Sequence, residues 1–140
     1  MQSINPYKKE DLQLLKDNIQ LFSNDVIDKL LYFINMEERK SEQEYQESLL
    51  KDNTKTSVLY KQNKDKIYFC YEETNEDLKQ RFLVFSNNSP ISFIQESIKK
   101  EPTKDIFITS NKDLSKFGFD SLGDNIYVPT INENIKGRNL

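Results

Sequence analysis

The densest chemistry in this chain lies between residues 71 and 77, where Glu72, Glu73, Glu76 and Asp77 follow Tyr71. Carboxylates packed this closely can move protons, hold a hard cation, or present negative charge to a cationic partner. The nearest approach to a metal motif is Asp77-Leu78-Lys79, with Glu72 or Asp105 as a second acid. Carboxylates so placed would hold Mg²⁺ while the lysine steadies a phosphate, as in a small enzyme acting on nucleic acid or a nucleotide. A second acidic stretch runs from Glu37 to Leu50. Its five glutamates, among them Glu42, Glu44 and Glu47 around Tyr45, stand against Arg39 and Lys40 and leave it net −3.

Two absences narrow the choice. The chain has no histidine, and Cys70 is its one cysteine. Ser-His-Asp and Cys-His nucleophile pairs are excluded, as is a zinc site built from cysteine and histidine. A net charge of −3, from 20 basic and 23 acidic residues, argues against a general nucleic-acid binder, whose footprint is a basic face. The basic stretch Lys51–Lys66, net +3 and carrying Tyr60, reads as a lysine-guarded outer strand.

Acidic patches beside tyrosines, without a catalytic signature, point to protein binding. The expectation is a cytoplasmic inhibitor of the immunity-protein or antitoxin kind, covering the basic cleft of a nuclease-like toxin. Its contact residues would be Tyr71, Glu72, Glu73, Glu76 and Asp77, with Glu42, Glu44, Tyr45 and Glu47 on the second patch. Charge complementarity would speed encounter, buried aromatics would hold the complex, and no cofactor is required. The alternatives are the Mg²⁺ enzyme and a structural or adaptor subunit with a constitutive partner.

At 140 residues, 36% hydrophobic and 31% charged, the chain has the size and make-up of one domain with a proper core. Its first nine residues lack the apolar segment of a signal peptide, and no apolar run nears the roughly 20 residues of a spanning helix. A lone cysteine fits a reducing compartment, hence the cytoplasm.

The elements that must position these residues are legible in the apolar spacing. Lys66–Glu72 sets Ile67, Phe69 and Tyr71 against Tyr68 and Cys70, apolar on both faces, which predicts an interior strand. Arg81–Phe85 repeats the pattern and closes a hairpin around the acidic loop, and Thr54–Tyr60 supplies an outer strand. Upstream, Asn5-Pro6 marks a helix start, and two apolar stripes divided by Ser23-Asn24-Asp25 predict two helices over residues 7–36. Downstream, Ser89-Pro90 opens a helix that Glu101-Pro102 closes, and Asp105–Thr109 is a short buried strand. Strand, helix and strand of this length predict a crossover with the two strands parallel. Ile126–Val128 has the make-up of a further strand, and residues 131–140 of a frayed tail.

The fold expected is therefore α+β: two N-terminal helices, an antiparallel hairpin-based sheet of four or five strands, and one helix crossing to a parallel strand. The expected core comprises Leu15, Ile19, Phe22, Ile27, Leu30, Ile34, Ile67, Phe69, Leu83, Val84, Ile94, Ile98, Ile106 and Ile108.

This order of elements is similar to that of the N-acetyltransferases, a resemblance of topology over most of the chain. That family cradles the pyrophosphate of acetyl-coenzyme A in a glycine-rich turn between strand and helix. Here the matching turn, Ser86-Asn87-Asn88-Ser89-Pro90, has no glycine, and its proline has no amide to donate. Gly118-Phe119-Asp120-Ser121-Leu122 resembles the attachment site of acyl carrier proteins, where the serine opens a long helix. Gly123-Asp124-Asn125 and a β-like run follow it here instead.

Overall fold

A computed structural model describes residues 1–39, 54–99 and 105–130. The expected tail at 131–140 and the Glu101-Pro102 helix stop fall outside these residues, as does most of the second acidic patch. Strand β1 is Gln2–Ser3, helix α1 is Lys9–Asp17 and helix α2 is Asn24–Arg39, with a 3-10 turn at Ile19–Leu21 between the helices. Then come β2 (Thr54–Asn63), β3 (Lys66–Asn75), β4 (Gln80–Phe85), α3 (Ile91–Ile98), β5 (Asp105–Thr109), β6 (Phe119–Gly123) and β7 (Ile126–Pro129). The architecture is α+β.

Among the described residues the sheet has seven strands, in the order β1-β2-β3-β4-β5-β7-β6, against the four or five expected. Two of the extra strands sit at its margins. Strand β1 adds two residues to the edge of β2, pairing Gln2 with Tyr60 and Ser3 with Leu59. Strand β6 pairs with β7 through Asp124-Asn125, both at positive φ, as a two-residue hairpin of the primed type requires. Strands β4 and β5 run parallel, with Phe82 opposite Phe107 and Leu83 opposite Ile108.

Two helix starts differ from expectation. Helix α1 begins at Lys9, because the Asn5 side chain accepts from the Tyr7 amide (2.9 Å) and so closes a local turn. The Asn5 amide in turn donates to Asp11 Oδ2 (2.8 Å), while Ile4 next to it is drawn onto β2 by a bond to the Val58 carbonyl (2.8 Å). Helix α3 begins after Pro90 with no side-chain cap, since Ser89 Oγ is engaged with Ser86 Oγ at 2.9 Å.

The sheet carries a core on each face. Helices α1 and α2 and the connection between them cover the first with Leu12, Leu15, Phe22, Leu30 and Ile34 against Val58, Phe69 and Tyr71. Helix α3 and the loop before β6 cover the second, with Phe93, Ile94 and Leu114 against Leu59, Cys70, Leu83, Phe85 and Ile108. Period-two alternation along β3 feeds both: Phe69 and Tyr71 enter the first core, Cys70 the second. Ile19, Ile27, Ile67, Val84 and Ile98, expected in the core, are packed against it but only partly buried.

Candidate functional site

The acidic hairpin is built by that same alternation, which divides what the chain order places together. Glu72 lies on the α3 face and is buried, 6% exposed. Its Oε2 accepts from Arg81 Nε at 2.7 Å and from Thr74 Oγ1 at 3.3 Å. Arg81 is fully buried and also donates from Nη2 to the Ser97 carbonyl (3.1 Å), at the negative end of α3. Glu72 is therefore corrected from a surface carboxylate to half of an interior ion pair.

Glu73 lies on the opposite face. It accepts from the Tyr71 hydroxyl (2.7 Å) and pairs with Lys29 of α2 (3.5 Å) across a partly solvated gap. Tyr71, expected as an exposed contact anchor, is 4% exposed within the first core, where its ring is packed and its hydroxyl donates to Glu73. Glu76 and Asp77 lie exposed in the loop joining β3 to β4. Asn75 Oδ1 accepts from the Leu78 amide (3.0 Å), and Lys79 sits at φ +53, so this loop has defined geometry. Leu78 at its tip is 63% exposed. Asp105 is brought alongside, its amide donating to the Lys79 carbonyl (3.0 Å). The structure thus gathers Glu73, Glu76, Asp77 and Asp105 at one end of the sheet and takes Glu72 away from them. Glu42, Glu44, Tyr45 and Glu47 lie outside the described residues.

Of the two second acids the Mg²⁺ arrangement allowed, Glu72 is held by Arg81, and Asp105 lies beside the loop. Among the described residues, no three acidic, histidine or cysteine side chains come together as a cation site would need. The strand-to-helix turn at Ser86–Pro90 spends its polar groups internally. Ser86 Oγ accepts from the Phe69 amide (3.0 Å) and donates to Asn88 Oδ1 (2.8 Å), and Asn88 Nδ2 donates to the Ile67 carbonyl (2.9 Å). A turn locked in this way has its donors aimed at the protein, not at a pyrophosphate. Asp120-Ser121-Leu122 lies on strand β6, where Ser121 Oγ accepts from the Gly123 amide (3.1 Å), and opens no helix.

Sequence reasoning missed one surface feature beside the acidic end. Phe82 is 41% exposed and stacked on Phe107, ring centres 5.1 Å apart and planes 14° from parallel. Alternation had assigned both faces of Arg81–Phe85 to covered core. No local sequence signal marks Phe82, because its place opposite the partly buried Glu73 comes from the β3–β4 register.

Comparison with known proteins finds no matching family model, no similar curated protein and no similar solved structure. Among the described residues, no helix is long and apolar enough to cross a membrane.

Proposed function

We propose that this chain binds and neutralises a cationic protein partner, acting in the cytoplasm as an immunity protein or antitoxin does against a nuclease-type toxin. One observation carries the reading: Glu76 and Asp77 are exposed on a defined hairpin loop that also presents Leu78 to solvent. Exposed charge steers an approaching partner over the screening length of about 8–10 Å at ordinary ionic strength, and an apolar tip gives the encounter something to bury. Glu73 and Asp105 extend the negative field on either side of the loop. The chemistry asked of the chain is recognition, which needs neither cofactor nor nucleophile.

The test is affinity capture from the native host, followed by kinetics on the captured partner. The expected partner is a basic toxin domain whose activity is lost on stoichiometric addition of this protein. Reversing Glu73, Glu76 and Asp77 to lysine should slow association far more than it speeds dissociation, and should flatten the salt dependence of the on-rate. A nucleic-acid partner, or association unaffected by the reversals, would sink the proposal.

A further inference from the structure

Among the described residues, the helical layer on the first face stops short of the sheet's far half. Along the row Val58, Tyr71, Val84, Thr109 and Ile126, paired strand to strand, burial is complete at the first two and only partial at the last three. The neighbouring row runs Glu73, Phe82 and Phe107, and in it Phe82 faces solvent. Alternation places Val128 on this same side, since its neighbour Tyr127 belongs to the second core. Among the described residues this leaves a strip of Phe82, Val84, Phe107, Thr109, Ile126 and Val128, apolar but for one threonine, with Phe82 exposed and the other five partly buried.

The margins of this strip are acidic. Glu73 adjoins Phe82 on β3, Asp105 shares the face of Phe107 on β5, and Asp120 lies opposite Val128 on β6. The hairpin adds Glu76 and Asp77 at the Phe82 end. Among the described residues, Lys29 of α2 is paired with Glu73, and Lys79 lies in the hairpin.

From an exposed aromatic stack inside a carboxylate rim, we infer that this half-sheet is the docking face for a cationic, amphipathic protein segment whose arginines or lysines lie over Phe82 and Phe107. The inference rests on the binding reading above and names the surface that performs it. A second copy of this chain is disfavoured as occupant, because its own face would bring a like-charged rim against this one. A cation over the face of an aromatic ring is attracted by the ring's quadrupole, and neighbouring carboxylates hold the same cation from the side. The apolar stems of arginine and lysine cover the aliphatic remainder. In this arrangement the carboxylates set the rate of encounter, and the phenylalanines set the lifetime of the complex.

The experiment uses the full chain, isotope-labelled for amide NMR, and two synthetic peptides of equal positive charge. One combines arginine with leucine and alanine, and the other arginine with glycine and serine. The first should shift amides of residues 80–84, 105–109 and 126–128, and should bind at least about tenfold tighter than the second. Phe82→Ser should remove most of that preference, at least about tenfold in affinity, since anchor residues dominate such contacts. If Phe82→Ser proves unfolded by its amide spectrum, Phe82→Leu keeps the bulk, loses the ring, and should weaken the first peptide severalfold. Equal binding of the two peptides, shifts elsewhere, no binding, or indifference to Phe82 overturns the inference. So does concentration-dependent self-association that Phe82→Ser abolishes, which would make a second copy the occupant. The inhibitor reading fails separately: peptide docking here with no toxin neutralised would leave the face standing and remove that role.

Discussion

Arg81 occupies the least hospitable place in the molecule for a charge, fully buried between the sheet and α3. Its Nε is matched by Glu72 and its Nη2 by the Ser97 carbonyl, while Nη1 has no hydrogen-bond partner among the described residues. Removing a charge from water costs several kcal/mol, so the pair roughly cancels its own desolvation, and losing one member leaves the other uncompensated. Glu72→Ala should therefore destabilise by about 3–5 kcal/mol in a urea melt, whereas Glu72→Leu combined with Arg81→Met should restore most of that loss. A single substitution that leaves the urea midpoint unchanged would show the pair to be solvated. Period-two alternation already implied this geometry: it sets Arg81 on the face of Leu83 and Phe85, and Glu72 on that of Cys70. Reading the four carboxylates by proximity along the chain concealed it, because adjacent residues of a strand point to opposite faces. The pairing itself needs the β3–β4 register, in which Glu72 stands opposite Leu83 and Thr74 opposite Arg81, and no local pattern supplies that.

At the scale of elements, the crossover was the most legible part, since Pro90 and the apolar spacing of Ile91, Ile94 and Ile98 are local signals. The margins were not. Strand β1 is two residues long and exists by pairing with residues nearly sixty positions away. Strand β6 carries one buried apolar residue, Phe119, and a register shift at Ser121–Gly123. Helix α3 is further tied to β2 by Lys61 and Glu96, 2.8 Å apart and both substantially solvated. The hydrogen bond from Lys61 holds the Glu96 carboxyl below the usual glutamate value, aided by the charges of Lys61, the N-terminus and Lys99, with desolvation opposing. A folded-state value lowered in this way contributes stability above the ordinary glutamate range and loses it as pH falls through the lowered value. Lys61→Ala should move Glu96 back upward in a carboxyl NMR titration. It should also lower stability at neutral pH by no more than about 1 kcal/mol, as exposed pairs do, with the difference vanishing in strong acid. A Glu96 titration unchanged by the substitution would assign the shift to another group.

For the whole molecule, the decisive feature is that one strand serves two cores. Phe69 is fully buried against α1 and α2, where its ring lies 6.2 Å from that of Phe22 and 6.0 Å from that of Tyr60. Cys70, the next residue, is fully buried on the α3 side, and the Ser86 side chain that fixes the turn into α3 accepts from the Phe69 amide. Two helical layers on opposite faces of the sheet are thus coupled through β3, so loosening one face should release the other. Truncating Phe69 to alanine should cost about 3–5 kcal/mol, from lost transfer free energy plus the cavity left behind. The informative quantity is where that loss is felt. If the sheet joins the layers into one cooperative unit, amide hydrogen exchange in Phe69→Ala should speed by a similar factor in α1, α2 and α3, each tracking the global fall in stability. Faster exchange in α1 and α2 with α3 unchanged would instead mean that the layers open separately. The docking strip on β4, β5 and β7 would then stay folded while the N-terminal helices detach.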